Sequence, residues 1–155
     1  MLIILTVTFT GCIVIPQYKY YDISPDEVIS VQIYDLRTSE TYYGDFIEKD
    51  NPVYTLPEDI TDDFLTELSE IRFKDSIVIT IAAVDPNFTY DEWVARINYA
   101  DGSYDLISCD GYGQSYNETN EVTDTNHYGC DNDEWKKFIT GYLPEEFINN
   151  IKQVD

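Results

Sequence analysis

The stretch from Trp93 to Ser108 constrains the fold more than any other. It reads Trp-Val-Ala-Arg-Ile-Asn-Tyr, then Ala-Asp-Gly-Ser, then Tyr-Asp-Leu-Ile-Ser. Two strand-like runs thus flank Asp101-Gly102. An Asp-Gly pair in that setting predicts a tight hairpin, of which the two-residue type I′ form needs φ > 0 at both positions. Ala95, Ile97 and Tyr99 alternate onto one face and Val94, Arg96 and Asn98 onto the other. A chain with this unit at its centre is expected to build an antiparallel sheet.

The remaining periodicities fill in the domain. Val28 to Leu36 alternates Ile29, Val31 and Ile33 with Ser30, Gln32 and Tyr34, the pattern of a half-buried strand. Thr41 to Ile47 and Val53 to Leu56 predict shorter strands. Ser76 to Val84 is apolar at nearly every position, as a central strand is. Tyr112 to Tyr116 predicts a last strand, and Asn117 to Asn126 an exposed polar loop. Glu58 to Phe73 places Ile60, Phe64, Leu65, Leu68 and Ile71 at helical spacing, with acidic residues in the first turns, where the helix dipole favours them. Asp131 caps a second helix, whose Trp135, Phe138, Ile139 and Tyr142 share a face, with Glu134 in a capping-box position. A short helix follows from Pro144 to about Lys152. The expectation is an α+β fold: a single antiparallel, hairpin-rich sheet of about four to six strands with two main helices packed on it.

Charge narrows the partners. The 155 residues hold 30 Asp and Glu against nine Lys and Arg, a net charge of −21. Phosphate backbones are repelled by such a surface, so nucleic acid is excluded as a partner, and an anionic leaflet offers no electrostatic docking. A solvated acidic face explains the charge on its own. The sharper reading is attraction of cations or of a basic partner.

Met1 to Thr10 is uncharged and apolar, and it ends at Gly11-Cys12. It is too short to span a bilayer, which takes about 20 apolar residues. One reading is a buried strand from Leu2 to Ile15 with Cys12 as core filler. The other is export: Phe9-Thr10-Gly11-Cys12 resembles the lipobox of bacterial lipoproteins. The resemblance covers only these first residues. It implies that residues 1–11 are a signal peptide, that Cys12 carries a lipid, and that the chain is anchored at the extracytoplasmic face of a bacterial membrane. Residues 12–26, with Pro16, Pro25 and a polar-aromatic run, then read as a tether that partly docks on a single domain spanning 27–155, with an edge strand using Tyr18, Tyr20 and Ile23 as the alternative. With Cys12 assigned to the lipid, Cys109 and Cys130 form an even pair that an exported chain is expected to oxidise to a disulfide. The alternative is a nucleophilic pair of Cys109 with His127, the lone histidine.

Sites with recognisable chemistry are scarce. There is no Gly-x-Ser-x-Gly elbow, phosphate loop or dinucleotide fingerprint. Asp124-Thr125-Asn126-His127-Tyr128-Gly129 begins like a calcium loop but puts Tyr128 and Trp135 where oxygen ligands belong. An irregular calcium site using Asp124, Asp131 and Asp133 is the weaker residue of that idea, and otherwise neither metal nor cofactor is expected. Tyr104, Tyr112, Tyr116 and Tyr128 form the candidate ligand face, suited to stacking on sugars or anchoring a protein, with sheet packing as the structural alternative. The functional expectation is a non-catalytic envelope binding module with a protein or glycan ligand. The alternatives are an acidic inhibitor or immunity-type protein that blocks a basic enzyme, and an envelope hydrolase.

Overall fold

A computed structural model describes residues 17–35, 52–75, 93–109, 113–126 and 128–151. The expected signal segment with Cys12, the expected strands at Thr41–Ile47 and Ser76–Val84, Tyr112 and His127 all lie outside these residues. The described strands are β1 (Tyr18–Lys19), β2 (Val28–Asp35), β3 (Tyr54–Thr55), β4 (Phe73–Asp75), β5 (Trp93–Tyr99), β6 (Tyr104–Ile107), β7 (Gly113–Tyr116), β8 (Val122–Asn126) and β9 (Tyr128–Gly129). The helices are α1 (Glu58–Glu70), α2 (Asn132–Gly141) and α3 (Glu145–Ile151), with a single 3-10 turn at Pro25–Glu27.

The α+β class is as expected, but the single sheet is not. Among the described residues there are two antiparallel sheets: a six-stranded one in the order β3-β2-β5-β6-β7-β8, and a three-stranded one in the order β1-β4-β9. The small sheet escaped the alternation pattern because its strands are two or three residues long and pair across large sequence distances, Tyr18 with Lys74 and Lys74 with Gly129. One consequence is that α1 ends before Ile71. That residue is already extended, and Phe73, fully buried, belongs to β4.

The six-stranded sheet separates two apolar clusters. Val31, Ile33, Trp93, Ala95, Ile97 and Ile107 face the main core together with Phe64, Leu65 and Leu68 of α1 and Trp135 and Ile139 of α2. Helix α1 packs against β2, and α2 against β5. The buried Trp135 Nε1 donates to the Trp93 carbonyl at 2.7 Å, which fixes α2 on the sheet. Asp131 Oδ1 accepts from the Glu134 N–H at 3.0 Å, the expected N-cap. The opposite face of the sheet carries Tyr34, Val94, Tyr104, Leu106 and Tyr116. Ile29, expected inward with Val31, is instead 67% exposed, because the β2–β5 register shifts between Val28 and Ser30. Such a bulge breaks the two-residue alternation.

The central hairpin exists, with a different turn. Asn98 pairs with Tyr104, Gly102 N–H donates to the Tyr99 carbonyl at 3.1 Å, and Tyr99 N–H donates to the Ser103 carbonyl at 2.9 Å. Only Gly102, at φ +85°, is left-handed. This is a three-residue loop, a type I turn closed by a left-handed glycine, rather than the type I′ turn expected. Asp101 selects it by accepting from both the N–H and the hydroxyl of Ser103, at 2.9 and 2.6 Å. The β7–β8 connection repeats the design, with Asn120 at φ 62° in the glycine's place and Asn117 Oδ1 accepting from the Thr119 and Glu121 N–H groups. The segment read as one exposed loop is therefore a short loop followed by strand β8.

Candidate binding surface

One cross-strand row organises the surface. Val31, Ile97, Asp105, Ser115 and Asp124 are successive register partners on one face of β2, β5, β6, β7 and β8. Val31 and Ile97 are fully buried, whereas Asp105 and Ser115 are half-buried and Asp124 is exposed. The same face of the sheet thus passes from core to polar surface along a single row. Lys19 and Tyr21, from β1 and the residues after it, lie over the polar end. With Asp105, Ser115 and Asp124 they line a small pocket of about 90 Å³. The Lys19 ammonium sits 4.5 Å from the centre of the Tyr21 ring. Burial lowers the Lys19 pKa, against the opposing pull of Asp124 and Asp105.

A larger groove opens at the hairpin end. It measures about 590 Å³ and is lined by Asp26, Glu27, Tyr99, Ala100, Asp101, Ser103 and Asp105. The Ala100 N–H donates to the Glu27 carbonyl at 3.1 Å, tying the 3-10 turn to the hairpin loop. Tyr99 donates its hydroxyl to Asp105 Oδ2 at 2.6 Å, and burial followed by this hydrogen bond raises the phenol pKa. The Ser103 hydroxyl and N–H hold the Asp101 carboxyl below the usual carboxylate range. Four carboxylates and no basic side chain line the groove. Chemically this arrangement attracts cations.

The candidate tyrosines are not brought together. Tyr104 and Tyr116 are cross-strand partners, 3% and 6% exposed, with rings stacked at 4.6 Å and 10°. The Arg96 guanidinium caps the stack 3.9 Å from the Tyr104 ring centre. Tyr128 lies in the small sheet, half-buried against the main core on the other side. Tyr112 lies outside the described residues. The three candidate metal ligands are also apart in role: Asp124 ends the polar row, Asp131 is occupied as a helix cap, and Asp133 is exposed in the first turn of α2. Among the described residues no group of three His, Cys, Asp or Glu side chains could hold a metal ion.

Cys109 and Cys130 are neighbours. The Cys130 N–H donates to the Cys109 carbonyl at 3.0 Å, and the buried Cys109 thiol lies 3.4 Å from Asn132 Oδ1. Part of the segment read as a tether, from Tyr18 to Asp26, contributes β1, the buried Tyr21 and most of the 3-10 turn.

Sequence reasoning missed Asp105, Tyr99 and Lys19. The signal for Asp105 was present: it alternates in phase with Ile107 and Cys109, so a carboxylate stands at a core-facing strand position. Lys19 and Tyr21 left no such trace, because only long-range pairing of β1 brings them there. Among the described residues no helix is long and apolar enough to cross a membrane. Compared with known proteins, the chain matches no family model, no curated sequence and no solved structure.

Proposed function

We propose that this chain is a non-catalytic binding module of the bacterial envelope, anchored through a lipid on Cys12, and that its ligand is a basic protein. The observation that carries the reading is the groove at the hairpin end, where Asp26, Glu27, Asp101 and Asp105 converge without a basic residue among them. Apart from Lys19, which shares the adjoining pocket with Asp105 and Asp124, the nearby chain has the same sign. No Lys or Arg occurs between Arg96 and Lys136, a stretch that contributes β6, β7, β8 and β9. Charge of one sign around a recessed surface speeds encounter with the opposite sign and rejects like-charged competitors. An inhibitor or immunity-type protein acting on a basic enzyme is one form of this function. A glycan ligand has less support, since the stacked Tyr104 and Tyr116 are buried and offer no ring face to a sugar. On the same reading, an oxidising compartment joins Cys109 to Cys130.

The test uses a labelled decalysine peptide and fluorescence anisotropy. Raising NaCl from about 20 to about 200 mM is expected to weaken binding at least ~10-fold, as screening of an exposed charged surface requires. The combined variant Asp26→Asn, Glu27→Gln and Asp101→Asn is expected to weaken it a further ~10-fold. A control neutralising Asp62, Glu70 and Glu146, three exposed carboxylates on the helices, changes it little. Equal losses in the two variants would mean that net charge, and not the groove, holds the peptide.

A further inference from the structure

The outer edge of the six-stranded sheet says how such a partner is held. We infer that β8 is a docking edge, and that a basic, extended segment of the partner adds to it as a further strand. This rests on the basic-protein reading above and adds to it a mode of recognition.

Strand β8 ends the sheet, and among the described residues it pairs only with β7. Val122, Thr123, Asp124 and Thr125 are all exposed, Val122 at 49%. The outer side of such a strand presents main-chain N–H and C=O groups that the sheet itself does not use, which is the template for strand addition. Edges of this kind are ordinarily guarded by Lys or Pro. Here neither occurs anywhere between Arg96 and Lys136, although the strand carries a bulge at Thr123, between the pairs Tyr116–Val122 and Ser115–Asp124. The charges on either side of it in sequence are all acidic, Glu118 and Glu121 in the loop before it, Asp124 within it, and Asp131, Asp133 and Glu134 after it, and the cation that shares a pocket with Asp124 is Lys19. Carboxylates repel an incoming strand only when that strand is also acidic. A second copy of this chain would bring the same carboxylates to face its own, so the guard works against self-association. A strand carrying Lys or Arg at alternate positions meets opposite charge instead, and like-charge rejection becomes selectivity. The edge is continuous with the groove. The two hairpin loops touch, since a Cβ at Gly102 would lie 3.3 Å from the Glu118 Cβ. A segment lying along β8 therefore leaves the strand beside Glu121 and Glu118 and arrives at Asp101.

The experiment compares two peptides of equal charge: an acetylated octapeptide alternating Lys and Val, and the same peptide N-methylated at its four central residues, which keeps the charge and removes the central N–H donors. The expected result is at least ~10-fold tighter binding of the unmethylated peptide, the share contributed by main-chain pairing. Amide exchange should slow at residues 122–126. The Val122→Lys, Thr125→Lys double variant should bring the ratio of the two affinities close to one while the circular dichroism spectrum is unchanged. The Asp26, Glu27 and Asp101 variant should weaken both peptides and leave the ratio. Equal affinities in the wild type overturn strand addition while leaving charge recognition standing. Binding of neither peptide overturns both. Concentration-dependent protection of residues 122–126 without peptide overturns the assignment in favour of a second copy.

Discussion

Asp105 shows how one residue can belong to both core and surface. Its backbone is in phase with Ile97 and Ile107, yet its carboxylate ends in a groove and accepts the Tyr99 hydroxyl at 2.6 Å. A hydrogen bond to a charged acceptor contributes more than a neutral one, so Tyr99→Phe is expected to cost about 1–2 kcal/mol near pH 7. The pH dependence has a definite sign. Burial and the Asp105 hydrogen bond raise the Tyr99 pKa, and burial likewise raises those of Tyr21 and Tyr142. Unfolded tyrosine ionises near pH ~10. The folded state therefore holds these protons more tightly. Its advantage is complete below pH ~10 and is lost as pH rises through the folded values. Urea unfolding at pH 8 and pH 11 should show the wild type losing stability and the Tyr99→Phe deficit shrinking. A deficit that is unchanged at pH 11 would exclude the coupling.

At the scale of elements, the two hairpin loops are a matched pair with different residues at the same left-handed position. Gly102, at φ +85°, has the residue that position favours, and Asn120, at φ 62°, has the second choice. Gly102→Ala is expected to cost about 1–2 kcal/mol, from the backbone conformation and from the 3.3 Å approach to Glu118. Asn120→Gly is expected to gain about 0.5 kcal/mol or slightly more. Thermal unfolding of both variants measures the pair. These loops also mark what sequence could and could not reveal. The long amphipathic α1 and the alternation of β5 were legible because each is a local pattern repeated over seven residues or more, and the Asp131 cap because Glu134 stands three residues on. Strand β8 was not, because as an edge strand exposed along Val122–Thr125 it has no buried face to imprint alternation. The three-residue turn was hidden by Asp101, whose side-chain bonds to Ser103 favour it over the two-residue alternative. The Tyr104–Tyr116 stack was visible as two tyrosines but not as buried ones, since their burial depends on which face of the sheet is covered.

At the scale of the molecule, Cys109 and Cys130 connect the two sheets, one lying just beyond β6 and the other just beyond β9. Their backbone hydrogen bond of 3.0 Å brings the two residues side by side, the close approach that a disulfide requires. Oxidation would close a loop of about 20 residues and is expected to stabilise the fold by ~3 kcal/mol. Unfolding in urea with and without dithiothreitol measures this. Identical midpoints, with oxidation verified by mass, would show that closure strains the native pair by as much as it restricts the unfolded chain.

Strand β1 also decides how the molecule responds to being pulled. It is an outer strand of the small sheet, two residues long, held to β4 by its pairing and by the Asp75 N–H on the Gln17 carbonyl at 2.9 Å. The side chains beside it are clamped by rings: the Arg72 guanidinium 3.5 Å over Tyr18, and Tyr21 edge-on to Phe73 at 4.9 Å. Tension entering from the N-terminal side reaches these contacts before it reaches β2. Their release would pay out residues 17–24 as a leash of roughly 25–30 Å at full extension, while β2, seven residues in register with β5, keeps the acidic edge and its groove assembled. On the anchoring proposed above, the small sheet would be a mechanical fuse, yielding before the longer β2–β5 pairing does.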